Sequence, residues 1–303
     1  MKAFITGGTG FVGRWLAGHL RECGDDVVAV GDEVDVTDGA RVSRAIEEAA
    51  PDAVYHLAAL SHVGESWAAP EATVRVNVLG TLSVLEAARR LTPAARVVLV
   101  SSAEVYGLVQ PGDLPLTESS PLHPVTPYAA SKVAAEFLGA QAFAAHGLPV
   151  ITVRAFNHAG PGQSARFVVS GLARQVAELE RSGDGALRPG NLTARRDFTD
   201  VRDVARAYRL LVERGTPGEV YQVCSGVDVG VEEVARRLLA IAETDADIQP
   251  DPELARPVDV PTLVGDPGRL HDATGWEPGY ELDETLADTL EWWRRELDAE
   301  GET

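Results

Sequence analysis

The segment TPYAASKVAAEF at 126–137 holds two residues whose types and spacing suit proton transfer. Tyr128 and Lys132 are four apart, so on a helix they share one face. An ammonium there stabilises a phenolate and draws a tyrosine pKa down from about 10 toward neutrality. Lysine is rare in this chain: Lys2 and Lys132 are the only ones among 27 lysines and arginines. A surface contact between neighbouring turns is the bland alternative. Against it, VVLVSSAEVYG carries an apolar run that ends in Ser101 and Ser102, as at the sheet edge where open α/β proteins hold ligands. A second group of residues suits a phosphate. GGTGFVG sets Gly7, Gly10 and Gly13 at the spacing G-x-x-G-x-x-G, where a tight turn lets backbone N–H groups at a helix N-terminus reach a pyrophosphate.

The elements that must position these residues follow from the apolar pattern. KAFIT, GGTGFVG, RWLAGHLREC and DDVVAV read as strand, turn, helix and strand, a βαβ unit feeding a parallel sheet. The alternation continues through the helix ARVSRAIEEAA, the strand DAVYHLAA, one long helix PEATVRVNVLGTLSVLEAARRL, the strand ARVVLVSSA, the helix after TPYAASK and the strand LPVITVRAF. This is a doubly wound, Rossmann-like α/β fold. The rhythm breaks after about residue 160. Residues 1–160 read as a dinucleotide-binding domain to which 196–225 return, and 161–195 with 226–303, rich in Pro and Gly loops, as a smaller, mixed C-terminal lobe that binds substrate.

The end of the second strand bears on the cofactor. Asp32 lies about 20 residues past the glycines, where a carboxylate bonds the ribose 2′-OH and repels a 2′-phosphate. NAD(H) is therefore slightly preferred over NADP(H), although Gly31 stands where the acidic residue more usually falls. Asp35 and Val36 of DVTD are candidates for the adenine edge. A net charge of −19 speaks against a nucleic-acid partner, and no stretch of about 18 apolar residues predicts a membrane span. Cys23 and Cys224 are too far apart and too few for a disulfide framework or a metal site, so a reduced, cytoplasmic chain without metal is expected.

Taken together, GGTGFVG, HLAA at 56–59, NVLGT at 77–81, SSAEVYG and PYAASK resemble the extended short-chain dehydrogenase/reductases, which act on nucleotide sugars. The resemblance runs from about residue 2 to 295. It implies a Ser-Tyr-Lys set at Ser102, Tyr128 and Lys132, and a homodimer. It also implies cofactor contacts at the motif positions Phe11, Val12, Leu57, Ala58, Ala59 and Asn77, and a nucleotide-sugar site in the C-terminal lobe. Downstream, FNHAGPGQSARFV, GNLTARRDFTDVRDVARAY, GEVYQVCSG and RPVDVPTLVGDPGRLHDATGWEP resemble the GDP-6-deoxy-4-keto-D-mannose reductases and, next, the GDP-mannose 4,6-dehydratases. On that resemblance Phe167 and Val168 face the substrate, and Asp259 stands where the family has an acidic residue on the nucleotide ribose. Arg196 and Arg256, read as loop residues, suit a diphosphate, and Asn157 suits sugar hydroxyls.

Glu104 occupies the position where the resembled dehydratases keep the base that removes the C5 proton, which a reductase does not need. Against a dehydratase, GDEVDV is short where those enzymes carry a longer basic loop, and HAGPGQ is reductase-like. The expected reaction is NAD(P)H-dependent reduction of the C4 ketone of a GDP-4-keto-6-deoxy-mannose. The alternative is a GDP-mannose 4,6-dehydratase or another nucleotide-sugar dehydratase or epimerase, and a non-catalytic nucleotide-binding protein is the reading from another class.

Overall fold

The structure is a computed structural model that describes residues 1–254, 258 and 260–301. Its main sheet is built from β1 (Lys2–Thr6), β2 (Asp26–Val30), β3 (Ala53–His56), β4 (Arg96–Ser102), β5 (Val150–Ala155) and β9 (Val220–Val223), all parallel, in the order β2-β1-β3-β4-β5-β9. The chain winds outward from β1 to β2, then returns and winds the other way through β3, β4 and β5. The switch point therefore lies between β1 and β3, where an open sheet leaves a crevice at its carboxyl edge.

The sheet strands are near-continuous apolar runs because helices cover both faces. On one side α2 (Gly39–Ala49), α5 (Gly80–Ala88) and α6 (Pro127–His146) pack with Phe4, Val54, Val97 and Leu99, and short α3 (Val63–Ala68) and α4 (Pro70–Val74) pack on α6. On the other side α1 (Phe11–Glu22), α8 (Val201–Arg214) and α10 (Gly268–Thr274) enclose Ile5, Leu16, Tyr55, Tyr208 and Trp276, all fully buried. α6 begins where Thr126 caps the Ala129 N–H at 3.0 Å with Pro127 at the first helical position, and it ends at Gly147.

The segment read as one long helix differs from that expectation in one respect. Between α4 and α5 the residues Arg75–Leu79 widen into a π-helical turn. This turns Asn77 inward: its amide accepts from the Leu60 N–H at 2.8 Å and donates to the Leu60 carbonyl at 3.1 Å and the Ser131 hydroxyl at 2.9 Å. Such bulges frequently mark functional sites, and this one ties the loop after β3 to α6.

A second, mixed sheet joins β6 (Asn157–Ala159), β8 (Arg195–Asp200), β10 (Asp228–Gly230) and β12 (Thr262–Leu263), with β8 central, antiparallel to β10 and parallel to β6 and β12. A small pair forms from β7 (Ala186–Leu187) and β11 (Asp247–Ile248). α7 (Val168–Ser182), α9 (Val231–Ile241) and α11 (Leu282–Gly301) pack a separate core around Leu172, Val176, Leu238 and Trp293. The two sheets are joined at Asp197 of β8. Its buried carboxylate accepts from the Ser225 N–H and hydroxyl at 2.7 and 2.6 Å and from the N–H of Gly226 at 2.9 Å and Gly265 at 3.3 Å. No helix among the described residues is long and apolar enough to cross a membrane.

Candidate active site

The crevice at the switch point opens into a cleft of about 1300 Å³ that continues between the two sheets. At one end it is shaped to hold a dinucleotide. Gly7, at φ +68°, ends β1 so close to β3 that a Cβ there would stand 2.8 Å from the Ala58 nitrogen, so only glycine leaves the turn open. α1 follows with Gly10 as its cap and no side chain closing its end. Phe11, Val12 and Gly13 thus bring the N-terminus of α1 to the cleft, where it suits an anion, and Leu57, Ala58 and Ala59 form the opposite wall. A Cβ on Gly31 would fall 2.3 Å from the Thr9 hydroxyl, which explains why the carboxylate at the end of β2 sits one residue on, at Asp32.

Asp32, Asp35 and Val36 line this end on a loop that leads into α2. Asp35 accepts from the Thr37 N–H and hydroxyl, both at 2.8 Å, and these bonds hold its carboxyl below the usual carboxylate range. No arginine or lysine lines the cleft here among the described residues. Arg41 and Arg75 act on Asp35 electrostatically without lining it. Asn77 is also absent from the cleft wall. Its amide is used by Leu60 and Ser131, so it shapes the wall from behind.

At the middle of the cleft, the last three residues of β4 each reach α6. The Val100 carbonyl accepts from Lys132 Nζ at 2.8 Å, Ser101 donates to Glu136 at 2.6 Å, and Ser102 stands beside Tyr128 and favours its ionised form. Ser102 also caps the short turn that follows, its hydroxyl accepting from the Glu104 N–H at 3.2 Å, which brings Glu104 into the same wall. The residues predicted to act together are thus brought together, but the expected phenolate is not what this arrangement makes. Lys132 Nζ lies 5.9 Å from the centre of the Tyr128 ring and is bonded elsewhere. Burial pushes the Tyr128 hydroxyl up to about 12; Ser102 opposes the shift and Glu104 adds to it. Burial also pulls Lys132 down to about 8, opposed by Glu136. Desolvation sets the direction, so Tyr128 is a protonated phenol at neutral pH.

Two histidines near the site are structural. His56 is wholly buried between the hydroxyls of Thr6, at 2.8 Å, and Thr81, at 3.0 Å, and burial holds it down to about 3. His158 stacks on Phe11 with ring centroids 6.0 Å apart and contacts the Phe156 carbonyl at 3.2 Å.

At the far end Asn157 of β6, Phe167 and Val168 at the start of α7, and Arg196 face the cleft. Arg196 is not a loop residue as expected: it is a buried residue of β8, its Nη1 donating to the Arg195 carbonyl at 2.9 Å. Arg256 and Asp259 lie outside the described residues. The structure adds His62, Gln163, Arg166, Arg188 and Asn191 to the wall. Arg166 pairs with Glu65, and the His62 and Phe167 rings meet edge-on at 5.9 Å, so α3 and the 163–167 segment touch across the mouth. Gln163 and Arg166 fall within the motif FNHAGPGQSARFV, which carried a signal. Arg188 and Asn191 sit in a Pro and Gly loop that the sequence assigned to the substrate-binding lobe without singling them out.

A parallel sheet with its glycine turn at the switch point, and Ser102, Tyr128 and Lys132 gathered in one cleft with that turn, define an extended short-chain dehydrogenase/reductase. A sequence profile of the family described as GDP-mannose 4,6 dehydratase matches residues 32–289. The chain is 36% identical over 295 residues to the GDP-6-deoxy-D-mannose reductase of Pseudomonas aeruginosa, covering 96% of this chain and 97% of that protein. It is 29% identical over 347 residues to the GDP-mannose 4,6-dehydratase of Yersinia enterocolitica, covering 95% and 92%. Among solved structures, RMD from Pseudomonas aeruginosa complexed with NADPH superimposes with a TM-score of 0.90 at 35% identity, covering 98% of this chain and 100% of that one. The UDP-glucose 4-epimerase of Thermus thermophilus in complex with NAD gives 0.87 at 30% identity, covering 97% and 99%. The chain belongs to the GDP-mannose 4,6-dehydratase family of extended short-chain dehydrogenase/reductases.

Proposed function

We propose that the protein reduces the C4 ketone of a GDP-4-keto-6-deoxy-mannose with a nicotinamide cofactor. The observation that carries this reading is that Tyr128 and Ser102 meet in the same cleft as the glycine turn. Reduction of a ketone needs a proton donor at the forming alkoxide, and a buried phenol provides one. The similarity to a GDP-6-deoxy-D-mannose reductase supports the choice of substrate. The cofactor, when bound, supplies the hydride. Tyr128 gives its proton to the ketone oxygen, Ser102 holds that oxygen, and Lys132 keeps a positive charge beneath them. The N-terminus of α1 takes the pyrophosphate. Phe167 and Val168, with Arg256 and Asp259, take the nucleotide sugar in the lobe of 161–195 and 226–303, and Asn157 and Arg196 meet it from β6 and β8. Glu104 then has no proton to remove. Glu104→Gln is expected to reduce the ketosugar within about tenfold of wild type. A loss of more than about a hundredfold in kcat would show that a base at this position is needed, as in a dehydratase.

For the cofactor we favour NADH, because Asp32 and Asp35 line the adenosine end and no cation lines it among the described residues. Asp32→Ser is expected to raise the NADPH to NADH ratio of kcat/KM by about tenfold or more, through removal of a carboxylate from the place of a 2′-phosphate. An unchanged ratio would place Asp32 outside the recognition of the ribose.

We further propose a cytoplasmic homodimer. Leu79, Leu82 and Phe137, the last 66% exposed, lie on adjoining helical segments and form an apolar face suited to a second copy. Sedimentation of the purified chain checks this, and a monomer at micromolar concentration would contradict it.

A further inference from the structure

Beneath the cleft lies a buried charged cluster that the proposed chemistry does not use. Glu136 of α6 is 6% exposed and Arg154 of β5 is 5% exposed. Their guanidinium and carboxylate face each other in a fork, Nη2 to Oε2 at 2.8 Å and Nε to Oε1 at 3.0 Å. Arg154 also donates to the Tyr106 hydroxyl at 3.0 Å and the Glu118 carbonyl at 2.9 Å, and Ser101 donates to Glu136 at 2.6 Å. Stability alone does not account for ions in this place, because apolar residues of similar volume commonly replace a buried pair at no loss. The location offers a reason. Tyr128, Lys132 and Glu136 follow one another at intervals of four along α6, hence on one face, and Glu136 is one turn beyond the ammonium. Val100, Ser101 and Ser102 at the end of β4 meet Lys132, Glu136 and Tyr128 respectively.

We propose that Glu136, clamped by Arg154 and Ser101, is a positioning residue: it holds the Lys132 ammonium charged and against the Val100 carbonyl, beneath Tyr128 and Ser102. The inference rests on the roles proposed above for Tyr128 and Lys132. Glu136 makes no ion pair with Lys132 and acts on it through space from one turn further along α6, its carboxylate bonded to Arg154 and Ser101. His56 on β3 is neutral, Tyr128 is a phenol, and Arg154 on β5 is engaged with Glu136. Glu104 after β4 faces Tyr128. On the helices packed against α6, Glu65 is paired with Arg166 and Glu86 with Arg89, and Glu71 and Arg75 are exposed. Glu136 is the group that opposes the fall of the Lys132 pKa, which burial otherwise brings to about 8.

The test is the pH profile of kcat/KM for the ketosugar with saturating cofactor. In the wild type its alkaline limb follows loss of the Lys132 proton. Glu136→Gln keeps the volume and removes the charge, so the limb is expected to move about one pH unit to the acid side, with KM for the cofactor within about twofold. Because glutamine leaves Arg154 buried and unpaired, the double variant Glu136→Gln with Arg154→Met provides a charge-free core, and its limb should move in the same direction by a smaller amount. A limb that stays at the wild-type position in either folded protein overturns the proposal. Lys132→Met separates the two levels: an active variant would overturn the assignment of Lys132 itself, whereas an inactive one together with an unmoved limb in Glu136→Gln would overturn only the role of Glu136.

Discussion

Tyr128→Phe is expected to lower kcat for ketosugar reduction by about 10²–10⁴-fold, the usual contribution of a positioned proton donor. The substitution removes one hydroxyl from a ring that is 7% exposed and otherwise keeps its packing, so cofactor affinity should stay within about threefold. The reason for so large an effect is the state of the phenol. With its pKa pushed up to about 12 by burial, the hydroxyl is fully protonated across the working range and stands beside Ser102. The other tyrosine of the cleft among the described residues, Tyr208, has its hydroxyl buried in the core around α8. Steady-state kinetics with the purified variant decides the point. Turnover within tenfold of wild type would remove Tyr128 from the proton-transfer step.

Lys132→Arg is the second large effect, with an expected loss of about a hundredfold or more in kcat although the charge is kept. Lys132 is buried, and its Nζ is held by the Val100 carbonyl at 2.8 Å between α6 and the end of β4. A planar guanidinium is wider than an ammonium, and it presents its charge over a fork rather than at a point. In a closely packed interior that difference displaces either β4 or α6, and with it the contact of Ser102 with Tyr128. The same variant carries a pH signature. Arginine does not titrate, so any residual activity should lack the alkaline limb that Lys132, pulled down to about 8 by burial, gives the wild type. Normal activity in Lys132→Arg would mean that a compact ammonium is not what the site requires.

Much of this site is local in the chain and therefore legible in its sequence. The glycine turn, the serines at the end of β4, and Tyr128 with Lys132 are each fixed by a few neighbouring residues, and the alternation of strand and helix places all of them at one sheet edge. What the sequence did not reveal depends on distant partners. The Y-x-x-x-K spacing predicts proximity, but the direction of the Tyr128 shift is set by burial beside α3, which no spacing encodes. Arg154 and Glu136 meet only because β5 lies beside β4 under α6. Arg196 reads as a loop cation among Gly and Asn, whereas pairing of β8 with both β10 and β12 makes it a buried strand residue. Asn77, inside a helical pattern, is turned toward Leu60 by a π-helical turn that periodicity does not announce.

The central claim is that hydride passes from the cofactor to C4 of a ketosugar and is not returned. Its most direct test gives the wild-type enzyme GDP-4-keto-6-deoxy-mannose with a dihydronicotinamide cofactor deuterated at the transferring position, with the product followed by NMR. The account predicts one deuterium at C4 of a 6-deoxyhexose, one oxidised cofactor for each ketone consumed, and no reaction when GDP-mannose and oxidised cofactor are given alone. Formation of a 4-keto-6-deoxy sugar from GDP-mannose under those last conditions, with the cofactor unchanged at the end, would contradict it and assign the cleft to a dehydratase.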